Sequence, residues 1–517
     1  MASTSGRDFI VGWVAPIGVE LDADGNENTP IKVVQRYFAA YPHEIVKVID
    51  FIKKLEQSNP DPSPNFDSDN YHLKTRARQE AGNNIRISTN NNSVLALHCV
   101  FEISEFRIEH PETLRVIQIR SLKHPDEAML LREIYGDSFF LIGVHGSYSD
   151  RKELLRSKCD SEDNATDLIK HDAFESDTSG QNTRDLFELC DGFVSLSTDW
   201  EPDLKRLLDL CTSHYNEVPR LEEFGMQIAY NSSFRSGDLA RQVGASLFDS
   251  NGSMLSVGRN DAPMPKGGLY QVGQNNEVSD YRLGFDSGER YRQELLSEIT
   301  NSVKKKLPSI NAIADLDEGI RTSIVDGISD LVESVLKSSR IKDIIEFGRS
   351  VHAEMDAIVS AAFKGVPVAG STLFVTTFPC HTCARHIIAA GISKIVYVQP
   401  YPKSQALKLH ADALESEYLE INNHKDIHGQ PVPGPSEKIL VEPLIGVAPR
   451  RYHSLFAMWT PTGERTERKF AGKAIKKPNE DEMTFRFPFD EKAVLQLEAP
   501  MLEKYHGMFQ EQTEEQK

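Results

Sequence analysis

Apolar residues recur along this chain in two forms: short unbroken runs, and longer stretches in which they return at helical spacing. Residues 8–12 (DFIVG) are such a run, followed by a turn-rich segment and then by a helically spaced stretch over residues 33–55. Further runs at 114–119, 138–145 and 190–196 predict strands, and residues 124–136 predict a helix between two of them. Strands alternating with helices in this way predict a parallel, doubly wound α/β domain over residues 1–215. Residues 57–70 and 157–167, rich in Pro, Asn, Asp and Ser, read as surface loops.

The pattern restarts after residue 216. Residues 242–261 (QVGASLFDSNGSMLSVGRND) read as two strands around an Asp-Ser-Asn-Gly turn. Helical spacing over 289–307 and 320–339 predicts a helical insertion at about 275–345, after which strands resume at 371–378 and 392–399. The second α/β domain is therefore expected over 216–505, with residues 506–517 polar enough to form a disordered tail. A chain of 517 residues exceeds one ordinary hydrophobic core, and 39% apolar with 26% charged residues is a globular composition.

The formal charge of −19 disfavours a protein that tracks a polynucleotide, since no dense Lys/Arg stripe is available to neutralise phosphates. The six cysteines are scattered except for Cys380 and Cys383, so a disulfide framework is not expected. The N-terminus lacks a basic segment followed by an apolar one, and no apolar run reaches membrane-spanning length. The expectation is a cytoplasmic protein with reduced thiols and no membrane association.

Candidate chemistry concentrates in two short segments. One is Ser350-Val351-His352-Ala353-Glu354; the other is Phe378-Pro379-Cys380-His381-Thr382-Cys383. Two thiolates three residues apart share one face at the start of a helix, where the dipole favours negative charge. His352, Cys380 and Cys383 then supply three zinc ligands and leave the fourth tetrahedral position open, as a catalytic zinc requires. His381 and His386 are the rival imidazoles; His381 falls between the cysteines and is expected to point elsewhere. Glu354, two residues from a ligand but not itself one, suits a proton shuttle.

This H-x-E and P-C-x-x-C pair is the known signature of the zinc nucleobase deaminases. Beyond it, the second domain resembles deoxycytidylate deaminases at Arg235-Ser236, Gln242-Val243-Gly244-Ala245, Gly258-Arg259-Asn260 and Ala390-Gly391-Ile392. The resemblance implies a three-layer α/β/α deaminase fold, with Asn260 on the sugar or phosphate and the Ala353 N–H on the pyrimidine carbonyl. Candidate phosphate contacts are Arg235, Arg241, Lys266, Lys403, Arg450 and Arg451, with Lys403 and its neighbour Tyr401 foremost.

From about residue 8 to about residue 470 the chain resembles the bacterial anti-phage dCTP deaminases, in which a P-loop-kinase-like domain precedes the deaminase. The shared segments are Gly82-Asn83-Asn84-Ile85-Arg86, Ser121-Leu122-Lys123-His124-Pro125, Tyr401-Pro402-Lys403-Ser404 and Gly446 through Tyr452. That resemblance implies hydrolytic deamination of deoxycytidine nucleotides, dCTP or dCMP, to deoxyuridine nucleotides, and a homo-oligomer. Two other classes compete: a deaminase of RNA or single-stranded DNA, and a non-enzymatic nucleotide-binding regulator. The loop from Gly12 to Gly18 occupies the phosphate-loop position but has neither the Lys nor the Ser/Thr that should follow its second glycine. No kinase activity is expected; Gly12 and Gly18 are left with a regulatory nucleotide, a scaffolding role, or no function of their own.

Overall fold

The structure is a computed structural model describing residues 6–509, except 24, 60–61, 112, 174–181, 198, 213–216, 275–276, 315, 340–346, 402, 422–423, 433, 460–464, 466–468, 471, 475–484 and 488. It divides into two compact units, one of Met1–Gln227 with Ser393–Lys517 and one of Ile228–Ile392. The segment after the cysteine helix thus packs with the N-terminal residues.

In the first unit, β1 (Arg7–Val14), β2 (His43–Lys47), β3 (Leu114–Arg120), β4 (Phe139–His145) and β5 (Gly192–Ser195) form a parallel sheet in the order β2-β3-β1-β4-β5. Seven of the eight residues of β1 and all seven of β4 are buried, as expected for strands covered on both faces. The buried Trp13 indole donates to Gln118 Oε1 at 3.1 Å, satisfying a polar atom within this core.

Three expectations need correction here. The stretch 33–55 is not one helix: helix Pro30–Tyr37 ends before Pro42, β2 follows, and helix Val48–Gln57 begins after it. Proline cannot continue the ladder and its predecessor avoids helical geometry, so 43–47 is released to pair with β3. Residues 157–167 are not a loop, because helix Glu162–Ala173 starts within them. Its first turn is polar, Ser161 Oγ accepts from Asn164 N at 3.1 Å, and Ala165 and Leu168 are buried, so a capped helix start imitated a loop. Finally, residues 506–509 are not tail but the end of helix Glu491–Phe509, held by Tyr505 stacked on Phe101 at 4.9 Å and Phe509 edge-on to Phe51 at 5.1 Å. Residues 510–517 of that expected tail lie outside the described residues.

In the second unit, β6 (Gly244–Phe248) and β7 (Met254–Arg259) form the expected antiparallel hairpin, and β8 (Thr372–Thr377) pairs antiparallel with β6. Glycine is required twice for close approach. A Cβ on Gly244 would lie 1.9 Å from Ala229 O, and one on Gly258 2.1 Å from Ala353 O. The insertion contributes helices Ser287–Lys306 and Glu318–Ser338; residues 340–345 of it lie outside the described residues.

Back in the first unit, β9 (Lys394–Gln399), β10 (Leu414–Glu415) and β11 (Ile439–Pro443) pair in parallel as β9-β11-β10, and β12 (Gly446–Val447) adds an antiparallel edge to β5. The protein is therefore α/β with mixed sheets. Among the described residues no helix is long and apolar enough to cross a membrane.

Candidate active site

Two helix starts meet in the second unit. His352 is the N-cap of helix Ala353–Phe363, and Cys380 is the N-cap of helix His381–Ala389. The Cys380 sulfur accepts from the Cys383 backbone N–H at 3.4 Å, which folds the Cys-x-x-Cys turn so that both sulfurs face one point. His352 Nδ1 lies 3.3 Å from Cys380 Sγ and 3.3 Å from Cys383 Sγ. Tetrahedral corners around zinc should stand about 3.5 Å apart for nitrogen and sulfur, so the donor set fits the ion. Among the described residues, these three make a metal-competent group whose donor atoms all lie within 4.8 Å of one another. His386 Nδ1 instead bonds the Thr382 carbonyl at 2.8 Å, and neither it nor His381 joins the group.

The electrostatics are dominated by the contact between the thiols and the imidazole. Hydrogen bonding from Cys383, then from His352, draws the Cys380 thiol down to about 4. The same contact with Cys380 raises His352 to about 9. Glu354 is 4% exposed, and burial raises its carboxyl against the lowering influence of His352. A buried carboxyl with an elevated pKa beside a metal-ligating set can hold a proton and return it.

The start of the catalytic helix is fixed from β7. Val351 N donates to Asp261 O at 2.9 Å, and Asp261 N to Val351 O at 3.2 Å, bridging the residue before His352 to the end of the hairpin. Asp356 Oδ2 accepts from Arg259 N at 3.0 Å, a positioning carboxylate that the sequence reading missed. Its signal was available, since it falls two residues beyond Glu354 in the same first turn.

The expected substrate residues divide sharply. Ala353 opens its helix, so its N–H is one that the helix leaves unbonded. Asn260 is anchored by two bonds within the protein: its Oδ1 accepts from Val243 N at 2.7 Å and its Nδ2 donates to Arg241 O at 2.6 Å. Arg235, Arg241 and Lys266 are solvent-exposed in the second unit. Tyr401 and Lys403 follow β9 in the first unit, where Arg450 is exposed and Arg451 is buried against Asp191, Asp137 and the Phe139 carbonyl. Gly12 lies inside β1, where a Cβ would stand 2.8 Å from Leu141 Cδ1, so it serves packing; the loop proper begins at Ala15. Gly18 is in that loop with φ +86°.

Residues 219–399 match the cytidine and deoxycytidylate deaminase zinc-binding region. They form a zinc-binding domain of the deoxycytidylate deaminase type within a larger protein. The deoxycytidylate deaminase of Enterobacteria phage T2 is 44% identical over 55 residues, 11% of this chain and 29% of that protein. ComE operon protein 2 of Bacillus subtilis is 43% identical over 53 residues, 10% of this chain and 28% of that protein. The human deoxycytidylate deaminase is 32% identical over 73 residues, 14% of this chain and 40% of that protein. The chain thus spans well under half the length of these relatives. The dCMP deaminase of cyanophage S-TIM5, a solved structure, is 18% identical with a TM-score of 0.21, covering 44% of this chain and all of that one.

Proposed function

We propose that this protein hydrolyses the amino group of deoxycytidine nucleotides, dCTP or dCMP, to give deoxyuridine nucleotides and ammonia. The observation that carries the reading is the buried Glu354 carboxyl set beside a three-donor zinc group. A purely structural zinc site has no use for a buried acid of raised pKa at its side. Zinc held by His352, Cys380 and Cys383 supplies Lewis-acid activation of the attacking water. Glu354 would take one proton from the attacking water to the ring nitrogen as the oxygen adds to the amino-bearing carbon, and would then carry the remaining hydroxyl proton to the amine, so that the C–N bond breaks, the carbonyl forms and ammonia leaves. The Ala353 N–H orients the pyrimidine by its carbonyl oxygen.

The phosphate is assigned to exposed basic residues, and Arg235 is the foremost of them within the second unit, standing within electrostatic reach of Asp356 and Arg259. Asn260, tied to the 241–243 turn by its own bonds, is assigned to the sugar or phosphate. Depletion of a DNA precursor by this reaction is the physiological role we assign, as a defence against phage. The test is incubation of the zinc-loaded protein with cytosine, deoxycytidine, dCMP, dCTP, CTP and a cytosine-containing oligonucleotide, with uracil products read by chromatography. Turnover confined to the deoxynucleotides supports the reading; turnover of the oligonucleotide alone, or of nothing, overturns it.

A further inference from the structure

The helical insertion of the second unit carries an apolar face that its own packing leaves open. Its two helices, Ser287–Lys306 and Glu318–Ser338, run antiparallel: Lys304 Nζ pairs with Asp326 at 2.9 Å, and one cavity joins Gln293 of the first helix to Glu333 and Lys337 of the second. They pack chiefly on one another and on the turn Leu307–Ser309. The base of this hairpin is held where Tyr291 stacks on Phe347 at 4.5 Å. No residue of the first helix is buried, and among the described residues of the second only Val325 and Ser329 are.

The second helix carries two stripes. Val325, Ser329, Val332 and Leu336, spaced by four, three and four, make one of them, and it contains both buried residues. Ile324, Ile328, Leu331 and Val335 repeat that spacing one residue earlier, and Ile320 extends it by a turn. At 3.6 residues per turn the second stripe stands about 100° round the helix from the first. Ile320, Leu331 and Val335 are each more than half exposed. A helix apolar toward one neighbour and again to one side of it is patterned for a second neighbour.

The first helix matches this division. One of its sides gives Gln293, Thr300 and Lys304 to the polar cavity, which the second helix completes with Asp330, Glu333 and Lys337. Its other side forms a groove lined by Leu295 and Ile299, with Ile310 beyond the helix end. The cavity lies on the far side of the Val325 stripe from Ile324 and Leu331, so the hairpin has one polar face and one apolar face.

The pattern of the apolar face says what fits it. Ile320 and Val335, Ile324 and Leu331, and Gly327 and Ile328 are placed symmetrically about one level, close to the midpoint of the second helix. A copy of that helix reversed end for end presents the same pattern, which is the condition for a two-fold contact. Gly327, at that level, has no use within the chain: its backbone is not left-handed, and a Cβ there would meet nothing within 4 Å. Glycine inside a helix costs stability relative to alanine, and what it permits is the close approach of another backbone. The face is about 30 Å long and about 20 Å wide, so a facing copy covers roughly 600 Å² on each side, and the pair clears the roughly 1,000 Å² that a specific interface needs. Its margins are Glu298, Ser302 and Lys306 on one edge and Ser323, Asp330 and Ser334 on the other, whereas a helical face that lies on lipid is bordered by Lys and Arg.

We infer that this face docks a second copy of the same chain, the two hairpins reversed end for end and packed face to face as a four-helix bundle, with the second helices crossing at Gly327 and Ile328. The inference rests on the insertion alone and does not depend on the deaminase reading.

The test uses the full, zinc-loaded chain. Sedimentation over a range of concentrations should show self-association, and Leu331→Glu should reduce the sedimenting mass to half or less where the wild type is associated, because it sets like charges into an apolar contact. Ser297→Glu, on the polar side of the first helix, should leave the mass unchanged. In a second measurement, Ile328→Cys under mild oxidation should give a reducible covalent dimer above the wild-type background, since the two-fold brings residue 328 of both copies within disulfide reach. Ser297→Cys should not. A wild type that stays monomeric at every concentration, including one that binds lipid vesicles, would overturn the inference. So would an unchanged mass in Leu331→Glu, an equal loss in Ser297→Glu, or no dimer above background from Ile328→Cys. The cross-link decides the matter even if Leu331→Glu folds poorly.

Discussion

Two regions of this molecule bury charge, and they do so by opposite rules. Beneath the first unit's sheet, Asp8 receives Arg107 and Arg115, Glu498 receives Arg107 and the Tyr135 hydroxyl, and Asp191 receives Arg132 and Arg451. Each of these carboxylates is met by an arginine, so the network holds elements together. In the second unit, two thiols, an imidazole and a carboxyl converge with no arginine or lysine bonded among them. The cation these donors fit is zinc. Burial by itself therefore does not mark function; a convergence of metal donors does.

The sharpest way to break this contrast is at Glu354. Glu354→Gln should keep zinc, measured by metal analysis, and lose about 1000-fold in turnover, since it preserves shape and removes the proton carrier. Cys380→Ser and Cys383→Ser should lose the metal as well, because a hydroxyl is a harder and poorer ligand than a thiolate. Near wild-type turnover in Glu354→Gln would remove the acid/base assignment, and full zinc occupancy in both serine variants would remove the ligand set.

The matched network should respond in stability. Arg451→Met leaves the fully buried Asp191 with one arginine fewer, and unfolding in urea should show a loss of about 3 kcal/mol with zinc content unchanged. An unaltered midpoint would show that the pair is not structural. Next in size is the phosphate requirement: deoxycytidine should have a kcat/KM about 100-fold below that of the better of dCMP and dCTP, because a site built for phosphate leaves its donors unpaired without it. Equal specificity constants would dissolve the nucleotide assignment.

The smallest effect is one of pH. His98, stacked on Phe51 at 4.1 Å, is held neutral by burial, which lowers it to about 4. Its folded pKa lies below the unfolded value near 6.5, so the unfolded chain takes up the proton first. Its stabilising contribution is complete above about pH 6.5 and is lost as pH falls toward 4. Between pH 7 and pH 5 the loss should be about 2 kcal/mol, and His98→Gln should flatten that slope. A pH dependence identical in the variant would exclude His98 as its source.

The local rules of the chain determined a good deal without help. Unbroken apolar runs marked β1, β3, β4, β5, β8 and β9, because strands buried on both faces need no alternation. The spacing of His352, Glu354, Cys380 and Cys383 marked the metal group, since each pair is a single helix start and so is local geometry. Where local rules failed, they failed at ambiguous punctuation: Pro42 inside an apparent helix, and a Ser161-capped helix whose polar opening imitated a loop. Other things were decided only by tertiary structure, because they depend on segments far apart in the chain. Sequence spacing could not reveal that Arg451 is a packing residue, that Asn260 is tied to the 241–243 backbone, or that Gly12 sits within a strand against Leu141. Nor could it reveal that Asp172 would fill the first loop's N–H. Charge balance inside a fold is a property of neighbours in space, and the chain order of those neighbours carries no record of it.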